Sequence, residues 1–502
     1  MSAFKLLIDG ALVEGASEMD VLNPADGTVV AQCPRSDERL LNAAVRGAKE
    51  AFGAWSRLPA PERSSRVMAL AGALETRRAE FARLMMREQG KPLFLADVEI
   101  AQSVAILRTF AGMTLDVETL REDDKMRVVQ QRAPLGVVAA ITPWNFPLLL
   151  LMAKLGPALV AGNCVIAKPA PTTPLTTLLF GELCAELLPP GVVNTVVDNN
   201  DLGNLLTRHA DIAKVAFTGS TPTGRRVMES AAPSLKRLTL ELGGNDAAIV
   251  LEDAPVKAVA AQLFRNAMIN SGQVCVAIKR AYVHEALYDE LCDELVSLAS
   301  AAVVGDGLTP GVQLGPLQNK AQFDRVKELI EDCRTAGSIV AGGAALDRPG
   351  YFIEPTIVRD IADDARIVRE EQFGPVLPVL CFRDVEDAIK RANNCEFGLG
   401  ASVWGMDLNR AYDVALRLDA GTVWINKHLD LQFDVPFRGA KQSGIGAEFG
   451  LDGLKEYTQA KVINMTRENN YDHGGADGAS ERRHSKQDIR GRGAGTEGTV
   501  HA

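Results

Sequence analysis

The chain has 502 residues, of which 47% are hydrophobic and 24% charged, as in a globular protein large enough for two or more cores. Its formal net charge of −10 argues against nucleic acid or an anionic membrane surface as the main partner. The eight cysteines stand singly, without Cys-x-x-Cys or zinc-like Cys/His spacing, which predicts reduced thiols, no metal site and a cytoplasmic location.

The N-terminal third changes from strands to helices. Residues 1–35 are predicted to form short strands around a turn at 23–27, and neither a signal peptide nor an apolar run of membrane-spanning length is present. From residue 37 to about 120, apolar residues recur every three or four positions, which predicts helices that cover a sheet. Between residues 121 and 132, apolar and polar residues alternate again. This alternation predicts a two-stranded ribbon, which needs a partner because it has no core of its own.

Residues 134–251 alternate short β-branched runs with helical patterns, which is typical of βαβ units and a parallel sheet. The predicted strands are 137–141, 165–167, 192–197, 215–217, 238–240 and 247–250. Because ligands bind at the carboxyl ends of such strands, the residues that follow them are informative. Asn145, Lys168 and the Gly219-Ser220 pair lie at three of these ends. Small residues at a helix start suit a pyrophosphate, and with Lys168 they predict a dinucleotide cleft.

A cysteine and a glutamate have unusual neighbours. Cys275 follows a Ser-Gly break after a helix-patterned run, which would present its thiol to a cleft, although a lone cysteine is most often a small buried hydrophobe. Glu241 lies in an apolar Leu-Glu-Leu-Gly-Gly segment, where burial raises the pKa of a carboxyl group towards that of a usable base. With no histidine near either residue, the pair indicates acyl chemistry through a thioester.

Ordered motifs along residues 5–466 resemble those of the NAD(P)-dependent aldehyde dehydrogenase superfamily. They are Pro-Trp-Asn145-Phe-Pro, Lys168-Pro, Phe-Thr-Gly-Ser220, Leu-Glu241-Leu-Gly-Gly, Gly-Gln-Val-Cys275, Glu-Glu371-Gln-Phe373-Gly-Pro, Pro-Phe437 and Ser443-Gly-Ile-Gly. The resemblance implies an α/β fold with a Rossmann-type cofactor domain (1–120 and 134–251) and an α/β catalytic domain (252–435). Residues 436–456 would return to the cofactor domain, and strands 121–133 and 457–466 would serve oligomerisation.

The same resemblance implies roles for individual residues. Cys275 would be the nucleophile, Glu241 the general base and Asn145 an oxyanion donor beside the Cys275 backbone N–H. The implied cofactor-binding residues are Trp144, Lys168, Gly219, Ser220, Gly243, Glu371 and Phe373. Among them, Lys168 and Glu371 would bind ribose hydroxyls, Ser220 the pyrophosphate, and Phe373 the nicotinamide ribose region. The implied substrate pocket is apolar and consists of Phe146, Leu150, Val274, Val276, Leu431 and Phe437.

Two departures from the family pattern bear on the cofactor. Pro171 stands where NAD-preferring members often have a glutamate, but no arginine or lysine lies between residues 168 and 188 to bind a 2′-phosphate. We therefore expect NAD, with NADP as the alternative. Asn245 replaces a common lysine.

The choice of substrate also has alternatives. Apolar walls favour an aromatic or medium-chain aliphatic aldehyde over a charged semialdehyde, since a buried carboxylate would lack a partner. Arg438, which replaces a common glycine, lies near Lys427 and His428, and these groups would meet an anionic tail if they turned inward. A semialdehyde dehydrogenase, a CoA-acylating relative and a catalytically silent binding protein of this fold remain the alternatives.

The C-terminal part of the chain has two predicted features. Strand 457–466 is expected to pair with the 121–133 ribbon of a neighbouring subunit, which predicts a homodimer or homotetramer. The tail at 467–502 has almost no large apolar residue and is predicted to be disordered, with His473 and His484 as solvated linker residues.

Overall fold

A computed structural model describes residues 4–467. These residues form two compact units, one made of the chain up to 117 together with 131–461, the other of 118–130 and the chain from 462. The helices are α1 (Glu38–Trp55), α2 (Ala60–Thr76), α3 (Arg78–Gln89), α4 (Leu93–Ala111), α5 (Pro147–Ala161), α6 (Leu175–Leu187), α7 (Gly203–Arg208), α8 (Thr221–Ala231), α9 (Val256–Met268), α10 (Tyr288–Ala301), α11 (Lys320–Ala336), α12 (Arg366–Arg369), α13 (Val385–Asn393), α14 (Leu408–Ala415) and α15 (Gly450–Lys455).

The strands are short and many are fully buried. They are β1 (Leu6–Ile8), β2 (Ala11–Val13), β3 (Ser17–Leu22), β4 (Val29–Arg35), β5 (Glu118–Glu122), β6 (Met126–Pro134), β7 (Val137–Ile141), β8 (Cys164–Lys168), β9 (Val193–Thr195), β10 (Ile212–Thr218), β11 (Arg237–Glu241), β12 (Asp246–Val250), β13 (Ile278–His284), β14 (Ser338–Ala341), β15 (Thr356–Arg359), β16 (Val376–Phe382), β17 (Phe397–Gly398), β18 (Gly400–Trp404), β19 (Thr422–Ile425), β20 (Ala440–Lys441), β21 (Gly444–Ile445) and β22 (Thr458–Thr466).

The first large sheet has the strand order β21-β11-β10-β7-β8-β9. All its neighbours are parallel except β21, which pairs antiparallel with β11. Every residue of β7 and β8 is buried, as expected for central strands covered by helices on both faces. The predicted parallel α/β sheet is confirmed, and β21 shows that the chain returns to this sheet between residues 436 and 456.

The second large sheet has the order β14-β15-β16-β13-β12-β18-β19 and contains a strand that we expected in the first sheet. Strand β12 pairs with β13 and β18, so the chain passes from one sheet to the other between β11 and β12 rather than after residue 251. The four residues 242–245 are too few for the helical crossover that joins parallel neighbours. A new sheet therefore begins at Asp246.

The ribbon forms a three-stranded sheet of order β22-β6-β5. The backbone N–H of Arg467 donates to the Lys125 carbonyl at 2.8 Å. The prediction that β22 pairs with the ribbon of a neighbouring subunit is therefore wrong, because the chain closes this pairing on itself. The predicted disordered tail lies almost entirely outside the described residues.

Helices α1 and α5 both belong to the first unit. Helix α1 begins where the Asp37 side chain accepts the Leu40 backbone N–H at 2.8 Å. Helix α5 buries 13 of its residues, including Lys154. Between residues 4 and 467, no helix is long and apolar enough to cross a membrane.

Candidate active site

A cleft of about 1060 Å³ opens at the carboxyl ends of the first sheet. Eight of the predicted site residues line it: Trp144, Asn145, Gly219, Ser220, Gly243, Cys275, Glu371 and Phe373. Lys168, Glu241 and the six predicted substrate-pocket residues are not part of this lining. The structure therefore brings the nucleophile candidate together with most of the cofactor candidates.

The turn that carries Cys275 has an unusual backbone. Helix α9 ends at Met268, and Asn270 and Ser271 then adopt left-handed conformations with φ of 50° and 54°. At Gly272, with φ of 72°, a Cβ atom would lie 2.1 Å from the Gly374 carbonyl oxygen, so only glycine fits. This tight reversal leaves the Cys275 side chain half-buried at the cleft.

Asn145 lies in the loop between β7 and α5 and contacts the same turn. Its side-chain Nδ2 donates to the Gln273 carbonyl at 3.0 Å, and the Asn270 amide donates to the Asn145 carbonyl at 3.2 Å. An amide nitrogen has two protons, so Nδ2 keeps one donor after this bond. Asn145 is therefore fixed beside the turn that carries Cys275, and one Nδ2 proton remains free to donate a hydrogen bond.

A fully buried ion pair holds the Asn145 loop from behind. Lys91 Nζ lies 2.5 Å from Glu99 Oε2 and donates to the Asn145 carbonyl at 2.8 Å, and both side chains are completely buried. The Lys91 ammonium also lies 3.7 Å from the centre of the Phe146 ring. Glu99 Oε1 accepts the backbone N–H groups of Leu148 and Leu149 at 3.1 and 3.2 Å. The pair thus binds both the loop and the first turn of α5.

Glu241 is the last residue of β11 and is almost fully buried. Burial raises the pKa of its carboxyl group well above the usual value, and Glu448 raises it further, while Lys154 opposes the shift. Lys154 donates to Thr218 Oγ1 at 2.6 Å and pairs with Glu448. Among residues 4–467, no side chain or backbone group hydrogen-bonds Glu241 Oε1. This carboxylate has the free oxygen and the raised pKa that a general base needs.

The start of α8 suits a phosphate group. In the described part of the chain no side chain caps this helix, and Ser220 Oγ donates instead to Thr223 Oγ1 at 3.0 Å. The backbone N–H groups of Thr221 and Thr223 are therefore available, although Pro222 between them has none, and the helix dipole favours negative charge there. A Cβ at Gly219 would lie 2.5 Å from the Phe217 ring, so that ring leaves no room for a side chain at this position.

The other wall of the cleft is formed by Gly243 and three side chains. Glu371 Oε1 accepts the Gly244 backbone N–H at 3.1 Å, and a Cβ at Gly243 would lie 2.5 Å from Glu371 Oε2. The Trp144 and Phe373 rings meet edge to face with centroids 5.4 Å apart. This arrangement leaves a polar carboxylate beside two aromatic rings, which fits a ribose next to a flat heterocycle.

Lys168 takes a different position from the lining residues. It ends β8, is almost fully buried, and its Nζ lies 2.5 Å from Asp198 Oδ1. To bind a ribose hydroxyl as predicted, the Lys168 ammonium would have to donate to that hydroxyl while it remains paired with Asp198.

Five of the six predicted substrate-pocket residues belong to one hydrophobic core cluster or pack against it. Val274, Val276 and Phe437 are buried in one core cluster, and Phe146, Leu431 and Cys275 pack against it. Leu150 is half-buried and is not a member of this cluster. Leu429 and Phe433, which the sequence analysis did not include, do pack against it.

The three groups that would suit an anionic tail are engaged elsewhere. Arg438 is exposed and pairs with Asp452 at 2.5 Å, and Lys427 pairs with Asp430 at 2.7 Å. His428 is buried with Nε2 2.7 Å from the Val276 carbonyl oxygen, and burial lowers its pKa to about 3. None of the three presents a free positive charge to the Cys275 cleft.

Fold and site together define a cysteine-containing α/β protein with a cleft shaped for a dinucleotide. The aldehyde dehydrogenase family model matches residues 12–463, and the chain belongs to this family. It is 41% identical over 466 residues to a probable aldehyde dehydrogenase of Pseudomonas sp, covering 92% of this chain and 94% of the relative. The NAD+ complex of an aldehyde dehydrogenase from Bacillus cereus has a TM-score of 0.91 and 38% identity, covering 93% and 97% of the two chains. An NADP-dependent enzyme of E. coli has a TM-score of 0.90 and 36% identity, with 92% and 98% covered.

Several residues at the site were missed by the sequence analysis. Lys91, Glu99, Lys154 and Lys279 are all buried close to predicted site residues. A common signal was available, since Glu99 and Lys154 interrupt otherwise apolar helical faces, and a charge at such a position needs a specific partner. The sequence does not reveal which partner each charge has.

Proposed function

We propose that this protein oxidises an apolar aldehyde, aromatic or medium-chain aliphatic, to the carboxylic acid with NAD. The observation that carries the proposal is the joint placing of Cys275, Asn145 and Glu241. Two of them line the cleft, and the third is a buried carboxylate that raises the pKa of the Cys275 thiol. Family membership alone does not identify the substrate, so these side chains have to carry the assignment.

Cys275 would act as the nucleophile. Its Sγ attacks the aldehyde carbon and gives a tetrahedral hemithioacetal. The oxygen of this adduct accepts hydrogen bonds from the Cys275 backbone N–H and from the free Nδ2 proton of Asn145. Because Asn145 is already held by Gln273, Asn270 and Lys91, its donor needs no reorganisation during the reaction.

Glu241 would act after the thioester has formed on Cys275. Its carboxylate removes a proton from a water molecule that attacks the thioester carbonyl, and the carboxylic acid then leaves. The raised pKa of Glu241 makes it a stronger base than an ordinary carboxylate. A group that activates water disfavours the CoA-acylating alternative, and the intact set of three residues disfavours a silent binding protein.

The cleft residues fit a nicotinamide dinucleotide. The uncapped start of α8 at Ser220 would bind the pyrophosphate, and Glu371 with Phe373 would bind the nicotinamide ribose region. NAD, when bound, supplies the acceptor for the hydride that leaves the substrate carbon. Lys168 would bind the adenine ribose hydroxyls. The carboxylate of Asp198, 2.5 Å from Lys168, favours NAD over NADP because it would repel a 2′-phosphate.

An apolar substrate is supported by the hydrophobic cluster against which Cys275 packs. Val274, Val276 and Phe437 are buried in the adjoining cluster, and a substrate carboxylate against them would lose its hydration without gaining a partner. The ion pairs of Arg438 and Lys427 on the surface weaken the semialdehyde alternative. Comparing kcat/KM for benzaldehyde or hexanal with succinic semialdehyde decides between them. A tenfold preference for the semialdehyde, about 1.4 kcal/mol in transition-state binding, would reject the apolar pocket.

Two variants test the catalytic roles. Cys275→Ala should abolish turnover. Glu241→Gln should still give one burst of reduced nicotinamide per active site, because the hydride leaves before water attacks the thioester. Normal steady-state turnover in Glu241→Gln would refute its role as the base. Matched reactions with NAD and NADP under the same conditions measure the cofactor preference.

We also propose that the protein is a homodimer or homotetramer. All five residues of the outer strand β5 are exposed, as are most residues of β22. Long exposed edges of a sheet favour pairing with another chain. Multi-angle light scattering that gave a monomer at micromolar concentration would refute this assembly.

A further inference from the structure

Lys279, in β13, places its ammonium inside the turn that carries Cys275. The side chain is almost fully buried, and Nζ donates to the carbonyl oxygens of Val274 at 2.8 Å and Cys275 at 2.7 Å. A longer contact of 3.4 Å reaches the Ala277 carbonyl. Three carbonyls thus receive the three protons of the ammonium, and the turn closes around a positive charge.

Within residues 4–467, no carboxylate lies at hydrogen-bonding distance from this ammonium. The carboxylate nearest to it as an ion pair is that of Glu371, with Oε1 3.8 Å from Nζ. Glu371 pairs with the Lys279 ammonium only across 3.8 Å, and the carbonyl dipoles hold the Lys279 charge in place without neutralising it. Its electrostatic effect therefore extends to the neighbouring thiol, and the low dielectric of a buried site strengthens that effect.

The other charged groups that act on Cys275 oppose a thiolate. Burial raises the pKa of the Cys275 thiol to about 12, and Lys279 is the largest influence that lowers it. Glu371, Glu241 in β11 and Asp246 in β12 each raise it. His428, which lies 3.7 Å from Asp246, is neutral near pH 7 because burial lowers its pKa to about 3. Lys279 is therefore the cation on which a reactive thiolate depends.

We infer that Lys279 is a positioning residue whose ammonium fixes the Cys275 turn and stabilises the thiolate through its charge. This inference rests on the proposed role of Cys275 as the nucleophile. It goes further in assigning the activation of that nucleophile to a residue that does not line the cleft. Asn245 supplies no charge and donates its amide to the Val368 carbonyl at 2.8 Å.

The test is the rate at which iodoacetamide alkylates Cys275 between pH 6 and 10, measured by mass spectrometry of the Cys275 peptide. Lys279→Gln retains a hydrogen-bond donor but has no charge, whereas Lys279→Arg retains the charge. We expect Lys279→Gln to slow alkylation at pH 8 at least tenfold and Lys279→Arg to remain within about threefold of the wild type. Cys395, in the same cleft, serves as the internal standard.

Lys214→Gln is the matched control for the loss of a buried lysine. Lys214 is fully buried in β10 and donates to Thr239 Oγ1 at 2.6 Å, and it is not among the charges that act on the Cys275 thiol. In Lys214→Gln, iodoacetamide should alkylate Cys275 at the wild-type rate. An unchanged rate in Lys279→Gln, or an equal loss in Lys279→Gln and Lys279→Arg, would overturn the inference.

Two further results complete the test. If Lys279→Gln does not fold, Glu371→Gln tests how the charges around Cys275 act on its thiol. It removes a negative charge near both Lys279 and the thiol, so its effect on alkylation should be opposite to that of Lys279→Gln. Alkylation should then accelerate at least threefold, and a slower reaction would contradict the inference. Alkylation does not require turnover. A charge-dependent thiol in a protein that oxidises no aldehyde would therefore refute the proposed function but leave the role of Lys279 intact.

Discussion

The buried Lys91–Glu99 pair gives the sharpest prediction, because the same ion pair stabilises the fold and holds Asn145 in position. Lys91→Met would leave the Glu99 carboxylate without its cation at a site with no exposure to solvent. Breaking such a pair from one side costs about 3–5 kcal/mol in the free energy of unfolding. It would also remove one of the two donors to the Asn145 carbonyl and leave only the Asn270 amide. The upper bound on the catalytic loss is that of a missing oxyanion donor, about 10²–10³ in kcat.

A double variant separates these two effects. Lys91→Met with Glu99→Gln removes both charges, while the amide oxygen introduced at position 99 can still accept the two N–H groups at the start of α5. Most of the stability should return, because replacing both partners leaves no unpaired buried charge. The loss in kcat should persist, because the Asn145 carbonyl still lacks the Lys91 ammonium and is held by Asn270 alone.

Urea unfolding and steady-state kinetics measure the two quantities. Lys214→Met is the control, since it removes a buried lysine that does not contact the Asn145 loop and should lower stability without lowering kcat. Wild-type stability in Lys91→Met, or full recovery of kcat in the double variant, would refute the reasoning.

Three other outcomes follow from the site. Asn145→Ala should lower kcat about 10²–10³-fold with little change in the binding of NAD, as measured by fluorescence titration. Gly243→Ala should weaken NAD binding about tenfold, with a smaller effect on the alkylation of Cys275. The new Cβ would lie 2.5 Å from Glu371 Oε2, so the Glu371 side chain would have to move. The folded-state pKa of His428 is about 3 and its unfolded pKa about 6.5, so the unfolded chain binds more protons between these values and stability falls as pH decreases through this window. Relative to His428→Asn, the free energy of unfolding of the wild type should fall by about 2 kcal/mol between pH 6.5 and 5. Urea unfolding measures it at each pH, and the same pH dependence in both proteins would contradict this prediction. The comparison with the variant is needed because Asp246, with its pKa raised to about 7, contributes the opposite slope.

Local sequence was sufficient for the elements and for much of the site. The alternation of β-branched runs with helical patterns predicted the parallel strands β7, β8, β10 and β11, because burial on both faces leaves a strand almost wholly apolar. Glycines and polar residues after those strands marked the cleft, since the chain there must approach a ligand closely. Cys275 and Asn145 were predicted from such motifs, and the structure brings both to one cleft.

Tertiary structure decided how the pieces combine. The move of β12 into the second sheet follows from a connection of only four residues. The pairing of β22 with its own ribbon depends on where the chain returns after α15, which no local pattern encodes. Lys91 acquires its role from a carbonyl group 54 residues away in sequence. A buried charge reveals in sequence that it needs a partner, but only the packed fold determines which group lies within hydrogen-bonding distance of it.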